Sequence, residues 1–224
     1  MRAWLLPATC PLCTRTVPHE RDFCDDCEAA LPLLGASCAR CAAPLTARDT
    51  NDAICGQCLQ TKPTYTSVRA AFRYAPPVDG LVHGAKYAAR LDWAALLGRQ
   101  LAKRLASHAA SVDALVAVPL HRSRLRERGY NQSLEVARPL AKRLNIPLLH
   151  SVARVRATPP QTALSREERR KNMRRAFTVS GDVAQGRLVV VDDVMTSGAT
   201  AEAMAKCLIK AGAKSVEIWV VARA

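Results

Sequence analysis

The run LVVVDDVMTSGAT at residues 188–200 sets two adjacent acids, Asp192 and Asp193, after an apolar stretch, and small or hydroxylated residues soon after them. An apolar strand delivers such acids to its carboxyl end, where the sheets of α/β proteins open to ligands. Thr196, Ser197, Gly198, Ala199 and Thr200 then form a loop leading into a helix. Glycine lets backbone N–H groups approach an anion. The hydroxyls donate hydrogen bonds, and the positive end of the helix favours a phosphate. The acid pair can accept hydrogen bonds from a vicinal diol. Together these groups suit a sugar with two free hydroxyls and a 5′-phosphate. The bland alternative is a strand–turn–helix with an ordinary capped start, and the restrictive order of apolar, acidic and hydroxylated positions argues against it.

A second chemistry lies near the start of the chain. Eight of the nine cysteines form four Cys-x-x-Cys pairs: Cys10/Cys13, Cys24/Cys27, Cys38/Cys41 and Cys55/Cys58. Two intervening residues let both thiolates of a pair point at one ion, and two pairs complete the tetrahedral sulfur shell that zinc prefers. The alternatives are a disulfide set or a redox motif, and the repetition and spacing favour one or two structural zinc ions. Sequential pairing is the simplest arrangement. A cross-braced pairing, first with third and second with fourth, is the alternative that the spacing also allows. All-sulfur shells leave no open position for a substrate. Cys207, in a helical stretch, has no Cys or His partner nearby in sequence and reads as structural.

The formal net charge is +14, with 33 Lys and Arg against 19 Asp and Glu. Residues 1–62 are near neutral, so the excess lies in residues 63–224. Two segments hold most of it: Arg122, Arg124, Arg126 and Arg128 against Glu127, and the basic stretch 154–175. Such a body attracts phosphate-rich partners, whether nucleic acid or small polyanions. A solvated charged surface is the usual fate of a charge run, but the first of these follows a strand end, which favours function. Tyr130 and Phe177 flank the basic stretches and read as packing residues. His83 and His121 are weak ligand candidates. No apolar run approaches the roughly 20 residues of a membrane helix, and the first residues are too short a run for a secretory signal. The expectation is a cytoplasmic protein without membrane insertion.

The elements that must position these groups follow from periodicity. Strands are predicted over 67–74, 113–118, 148–155, 187–191 and 215–221. Helices are predicted over 78–109, in two pieces, over 131–144 with Asn131 as N-cap, and over 198–211 with Gly212 as the C-terminal stop. Residues 121–129 (HRSRLRERG) read as a basic loop, and 158–175 as polar and partly helical. Alternating strands and helices predict an α/β domain with a mainly parallel sheet and helices on both faces. The cysteines stop and the periodicity begins near residues 61–63. The expected organisation is a cysteine module at 1–62 and an α/β domain at 63–224.

Residues 188–200 resemble the phosphoribosyl pyrophosphate motif of type I phosphoribosyltransferases. With VPLHRSRLRERGYNQ (118–132), QTALSREERRKNMRRAF (161–177), the weaker HGAKY (83–87) and the paired cysteine module, nearly the whole chain is similar to the ComF/GntX-like family. That family is linked to DNA uptake in competence. The resemblance implies a type I phosphoribosyltransferase-like domain after a double zinc ribbon. Asp192 and Asp193 would hold the ribose hydroxyls and Thr196–Thr200 the 5′-phosphate. Pro119, Leu120, His121 and Arg122 would hold the pyrophosphate, with Lys86 pointing at it and magnesium bridging its oxygens. Residues 154–175 would be a mobile loop over the site or a single-stranded DNA surface, with Arg128, Gln161, Arg169, Arg170 and Lys171 as contacts. In purine-salvage relatives the residue at position 196 is often an acid that works on the base. Here it is Thr196, which leaves the acceptor undefined, and no residue stands out as a general base.

Two functions follow. One is transfer of a phosphoribosyl group to an unknown acceptor. The other is a non-catalytic protein that handles incoming single-stranded DNA beside a helicase-like partner and keeps the pocket as a sensor.

Overall fold

A computed structural model of the chain describes residues 8–45, 53–156, 176–181, 183 and 185–224. Gln161, Arg169, Arg170 and Lys171, and with them most of the basic stretch 154–175, lie outside the described residues.

The cysteine segment contains a short antiparallel pair, β1 (Ala8–Thr9) and β2 (Thr16–Val17), and two single-turn helices, α1 (Asp25–Ala29) and α2 (Gly56–Gln60). Beyond it come β3 (Val68–Arg73), α3 (Val78–Tyr87), α4 (Leu91–Leu105), β4 (Ala114–Ala117), α5 (Arg122–Arg128), α6 (Gln132–Leu144) and β5 (Leu148–Leu149). A short hairpin-like pair follows, β6 (Val152–Arg154) with β7 (Phe177–Val179), and then β8 (Arg187–Met195), α7 (Ala199–Lys210) and β9 (Ser215–Arg223). The main sheet has the order β3-β9-β8-β4-β5, and every pair in it is parallel.

A parallel sheet is buried on both faces, so its strands need apolar side chains at every position. The centre of β8 meets this need. Val189 and Val191 pack with Leu97, Leu101 and Val136 on the α4–α6 side, while Leu188 and Val190 pack with Met204 and Leu208 on the α7 side. Burying each such side chain stabilises the fold by roughly 1.5–3 kcal/mol. The close approach of α4 to α6 depends on Gly98. A Cβ there would lie 2.2 Å from the Val136 carbonyl oxygen. Gly84 plays the same part between α3 and α4, where a Cβ would overlap the Trp93 ring at 2.3 Å.

The cysteine segment joins both layers. Cys10, Phe23, Cys24 and Leu31 belong to the apolar cluster on the α4–α6 side, and Cys38, Cys41, Cys58 and Tyr65 to the cluster on the α7 side. Arg99 and Gln100 on α4 both donate to the Asp22 carboxylate. The N–H and hydroxyl of Thr64 donate to Glu202 on α7, each at 2.9 Å.

Two segments differ from the periodicity reading. Residues 122–128 form a helix rather than a loop. His121 caps it, its Nδ1 accepting from the Ser123 N–H, and Gly129 ends it in the left-handed region at φ 82°. Charge composition suggested a loop, but the local end signals decide the helix. The strand expected over 148–155 divides. Leu148 and Leu149 pair with β4, and the chain then leaves the sheet to pair antiparallel with β7. No described helix is long and apolar enough to cross a membrane.

Candidate ligand crevice and sulfur clusters

The sheet order places a topological switch point between β4 and β8. The connection after β4 leads outward to β5, and the one after β8 leads the other way, to β9. Ligands of open α/β sheets bind in the crevice outside the carboxyl ends of the strands at such a point. Pro119 and Leu120 follow β4 there, partly buried, and Asp192 and Asp193 occupy the end of β8 across from them.

The acids are held from two helices. Asn131 caps α6 through the Ser133 N–H and donates from Nδ2 to the Val118 carbonyl at 3.0 Å, fixing the start of α6 to the end of β4. In the first turn of that helix, the Ser133 hydroxyl donates to Asp192 Oδ1 at 2.8 Å. On the other side, Lys86 Nζ lies 2.9 Å from Asp193 Oδ2. Lys86 is pinned through α3, whose Ala85 carbonyl accepts from the Tyr130 hydroxyl at 2.7 Å.

Burial and then the neighbouring Asp193 charge push the Asp192 carboxyl up to about 7, and the Ser133 hydrogen bond and Lys86 only partly oppose them. Burial works against the Lys86 charge, but the Asp193 carboxylate outweighs it and the ammonium pKa rises.

Beyond the acids, Gly198 adopts φ 76° and turns the chain into α7. Thr196 is exposed, Ser197, Gly198 and Thr200 are half-buried, and Ala199 is buried. With Asp192 and Val118 they line a cavity of about 50 Å³. A second cavity, of about 240 Å³, lies on the other side of Lys86, which lines it with Tyr87, Arg124, Glu127, Arg128 and Tyr130.

The cysteines settle into two groups, Cys10/Cys13/Cys24/Cys27 and Cys38/Cys41/Cys55/Cys58, with the sulfurs of each within 4.8 Å of one another. The pairing is therefore sequential, and the cross-braced alternative falls away. Cys13 and Cys24 Sγ lie 3.6 Å apart, as do Cys41 and Cys55 Sγ. Tetrahedral Zn–S bonds of about 2.3 Å would separate the sulfurs by about 3.8 Å, so both groups fit zinc. Burial opposes a thiolate at Cys38, yet the backbone N–H groups of Cys55, Cys41 and Arg40 bring its pKa down to about 6. Among the described residues no other group of His, Cys, Asp or Glu converges in this way. His121 serves as a helix cap, and His83 lies against the Tyr87 ring, their centroids 4.8 Å apart.

Residues 1–59 match the model of the double zinc ribbon domain, and residues 130–224 that of the phosphoribosyl transferase domain. The DNA utilization protein YhgH of Escherichia coli (strain K12) is 32% identical over 226 residues, covering 97% of this chain and 98% of that protein. The chain belongs to the ComF/GntX-like family. Competence protein F of Haemophilus influenzae is 32% identical over 181 residues, covering 76% of this chain and 78% of its own. Among solved structures, the purine phosphoribosyltransferase from Pyrococcus horikoshii Ot3 aligns at a TM-score of 0.35 and 19% identity, over 59% of this chain and 83% of that one.

The ComF/GntX-like chain thus carries structural zinc ribbons of four cysteines each ahead of a phosphoribosyltransferase-like parallel sheet. Of the residues singled out by sequence, the crevice brings together Asp192, Asp193, Lys86, Pro119, Leu120 and the loop Thr196–Thr200. Arg122 is exposed at the start of α5, and Arg128 lies in the second cavity. Sequence reasoning missed Ser133 and Arg154. Ser133 could have been found two positions past the Asn131 cap. Arg154, on β6, feels the Asp192 charge and lies over the Phe177 ring at 5.8 Å, a placement that needs the pairing of β6 with β7.

Proposed function

We propose that the crevice binds phosphoribosyl pyrophosphate with magnesium and that the protein transfers its phosphoribosyl group in the context of DNA uptake. The observation that carries this reading is the acid pair near the end of β8, followed by the short loop Thr196–Gly198 into helix α7 at the switch point.

In this reading Asp192 and Asp193 accept from the two ribose hydroxyls. The N–H groups and hydroxyls of Thr196–Thr200 take the 5′-phosphate, and Pro119–Arg122 face the pyrophosphate. The described acids form no cage of three or more ligands. Magnesium would therefore enter with the pyrophosphate, whose oxygens supply much of its shell, and would spread the charge of the leaving group. The protein's own share is positional and electrostatic, orienting the ribose as charge develops at its anomeric carbon.

A ligand that binds only the folded state raises the melting temperature by mass action, by about 2.7 kcal/mol of stability at a hundredfold excess over Kd. Phosphoribosyl pyrophosphate with magnesium should raise it, ribose 5-phosphate should raise it less, and ribose not at all. Equal shifts for all three would contradict the reading.

A second reading, handling of single-stranded DNA, draws on the relatives' names and on the exposed Arg122, Arg126 and Arg156. Steep loss of oligonucleotide affinity with salt would support it.

A further inference from the structure

The two sulfur clusters are tied to different parts of the sheet domain. The first is anchored on α4, where Arg99 and Gln100 donate to Asp22 and Lys103 pairs with Glu28. The second is tied to both ends of the loop that joins β8 to α7. At the loop's entry, the buried Arg223 guanidinium donates from Nε to the Cys41 carbonyl at 3.0 Å and from Nη1 to the Met195 carbonyl at 2.9 Å. At its exit, Thr64, soon after Cys58 in the chain, donates twice to the Glu202 carboxylate. The Glu202 N–H in turn donates to the Gly198 carbonyl at 2.9 Å. Between these ties lies Tyr65, in one buried apolar cluster with Cys38, Cys41, Cys58, Met195 and Ala199. Its hydroxyl oxygen is 3.6 Å from the point where a Gly198 Cβ would stand, and Met195 Cε is 2.8 Å from that point. Groups that contact the second ribbon therefore shape the loop from below.

The four cysteines of the second cluster need their metal to stay together. Small zinc modules owe their folding to the ion and come apart without it. A ribbon that opens gives up the Cys41 carbonyl and Thr64, and the loop loses both ties. An anion at a helix start needs backbone N–H groups already turned towards it. A loosened loop must be ordered again at binding, and that entropy cost lowers affinity.

We propose that the second ribbon is a regulatory metal site for the loop Thr196–Thr200. Zinc at Cys38, Cys41, Cys55 and Cys58 holds the loop ready for an anion, and an anion in the loop holds that zinc. The first ribbon takes no part. Such linkage is reciprocal, so each ligand changes the affinity for the other by the same factor. That the anion is a phosphate rests on the reading of the crevice above, whereas the ties between ribbon and loop do not.

The test exposes the full-length, zinc-loaded protein to a zinc-selective chelator and pulses it with N-ethylmaleimide. Mass spectrometry then reads the cysteines of each cluster separately. Saturating phosphoribosyl pyrophosphate with magnesium should slow modification of Cys38, Cys41, Cys55 and Cys58 at least about fivefold, the lower end of typical coupling between sites. Modification of Cys10, Cys13, Cys24 and Cys27 should keep its rate. Hydrogen exchange reads the reverse direction without any ligand. Cys55→Ser/Cys58→Ser should speed exchange of the 196–202 amides by a similar factor, and Cys10→Ser/Cys24→Ser should leave it unchanged. Should the former variant fail to fold, Glu202→Ala keeps every cysteine and cuts the tie at the loop's exit. It should at least halve the protection that the ligand gives to the second cluster.

Equal protection of both clusters would mean that the ligand stabilises the fold as a whole, and would overturn the proposal. So would protection of neither cluster by a ligand that calorimetry shows to be bound, undiminished protection in Glu202→Ala, or loop amides indifferent to the second zinc. A protein that binds no phosphoribosyl pyrophosphate would remove the crevice reading instead. The loop amides alone would then decide the proposal, and faster exchange in Cys55→Ser/Cys58→Ser would sustain it.

Discussion

Arg223 donates from Nε to the carbonyl of Cys41 at 3.0 Å, and from Nη1 to the carbonyl of Met195 at 2.9 Å. One buried guanidinium therefore joins the second sulfur cluster to the strand end that carries Asp192 and Asp193. Removing it leaves the buried Cys41 carbonyl without this donor, at about 1–3 kcal/mol, while the Met195 carbonyl still accepts from the Ala224 N–H at 3.1 Å. Arg223→Met should lower urea-unfolding stability by that order and speed zinc release to a colorimetric chelator. Unchanged stability and unchanged release would show that water replaces the guanidinium without cost.

The sequential pairing of the cysteines predicts how zinc is lost. Cys10→Ser with Cys24→Ser damages one shell, so metal analysis should find one zinc per chain. Cys10→Ser with Cys38→Ser damages both and should leave none. Under cross-bracing the second double variant, not the first, would be the one to keep an ion.

Gly98 supports the contact between α4 and α6 by lacking a side chain. Gly98→Ala places a Cβ 2.2 Å from the Val136 carbonyl oxygen and 2.6 Å from Pro139 Cγ. Overpacking of this kind costs about 1–3 kcal/mol, enough to lower the melting temperature by several degrees. A variant as stable as the native protein would mean that the helices separate freely.

The raised pKa of Asp192 fixes a sign. The folded state holds this proton more tightly than the unfolded chain, so the protonated carboxyl contributes stability at low pH. That contribution fades as pH rises from the usual carboxylate range to about 7. The stability of the native protein relative to Asp192→Asn should therefore fall between about pH 4 and pH 7 and then level off. A difference that rises over that window would mean that the folded state favours the ionised acid.

Much of this was legible in the sequence where the physics is local. The buried run of β8, the N-cap at Asn131 and the four cysteine pairs each carry their own signal within a few residues. What stayed hidden depended on partners far along the chain. Ser133 reaches Asp192 only because α6 starts at the end of β4. Arg223 gains its role only when β9 lies beside β8 and the cysteine segment folds back over it. The arginine-rich stretch misled for another reason. Its charge suggested a loop, whereas His121 and Gly129 supplied the ends of a helix. The cavity beside Lys86 needs α3, α5 and Tyr130 together, and no spacing within one element announces it.

The most direct test of the account is a calorimetric titration of phosphoribosyl pyrophosphate with magnesium into the zinc-loaded protein, set against Asp192→Asn/Asp193→Asn. Saturable binding by the native protein, lost in the double variant while its fold persists, is the predicted result. A native protein that takes up no ligand, or a double variant that binds as well as the native one, would contradict it.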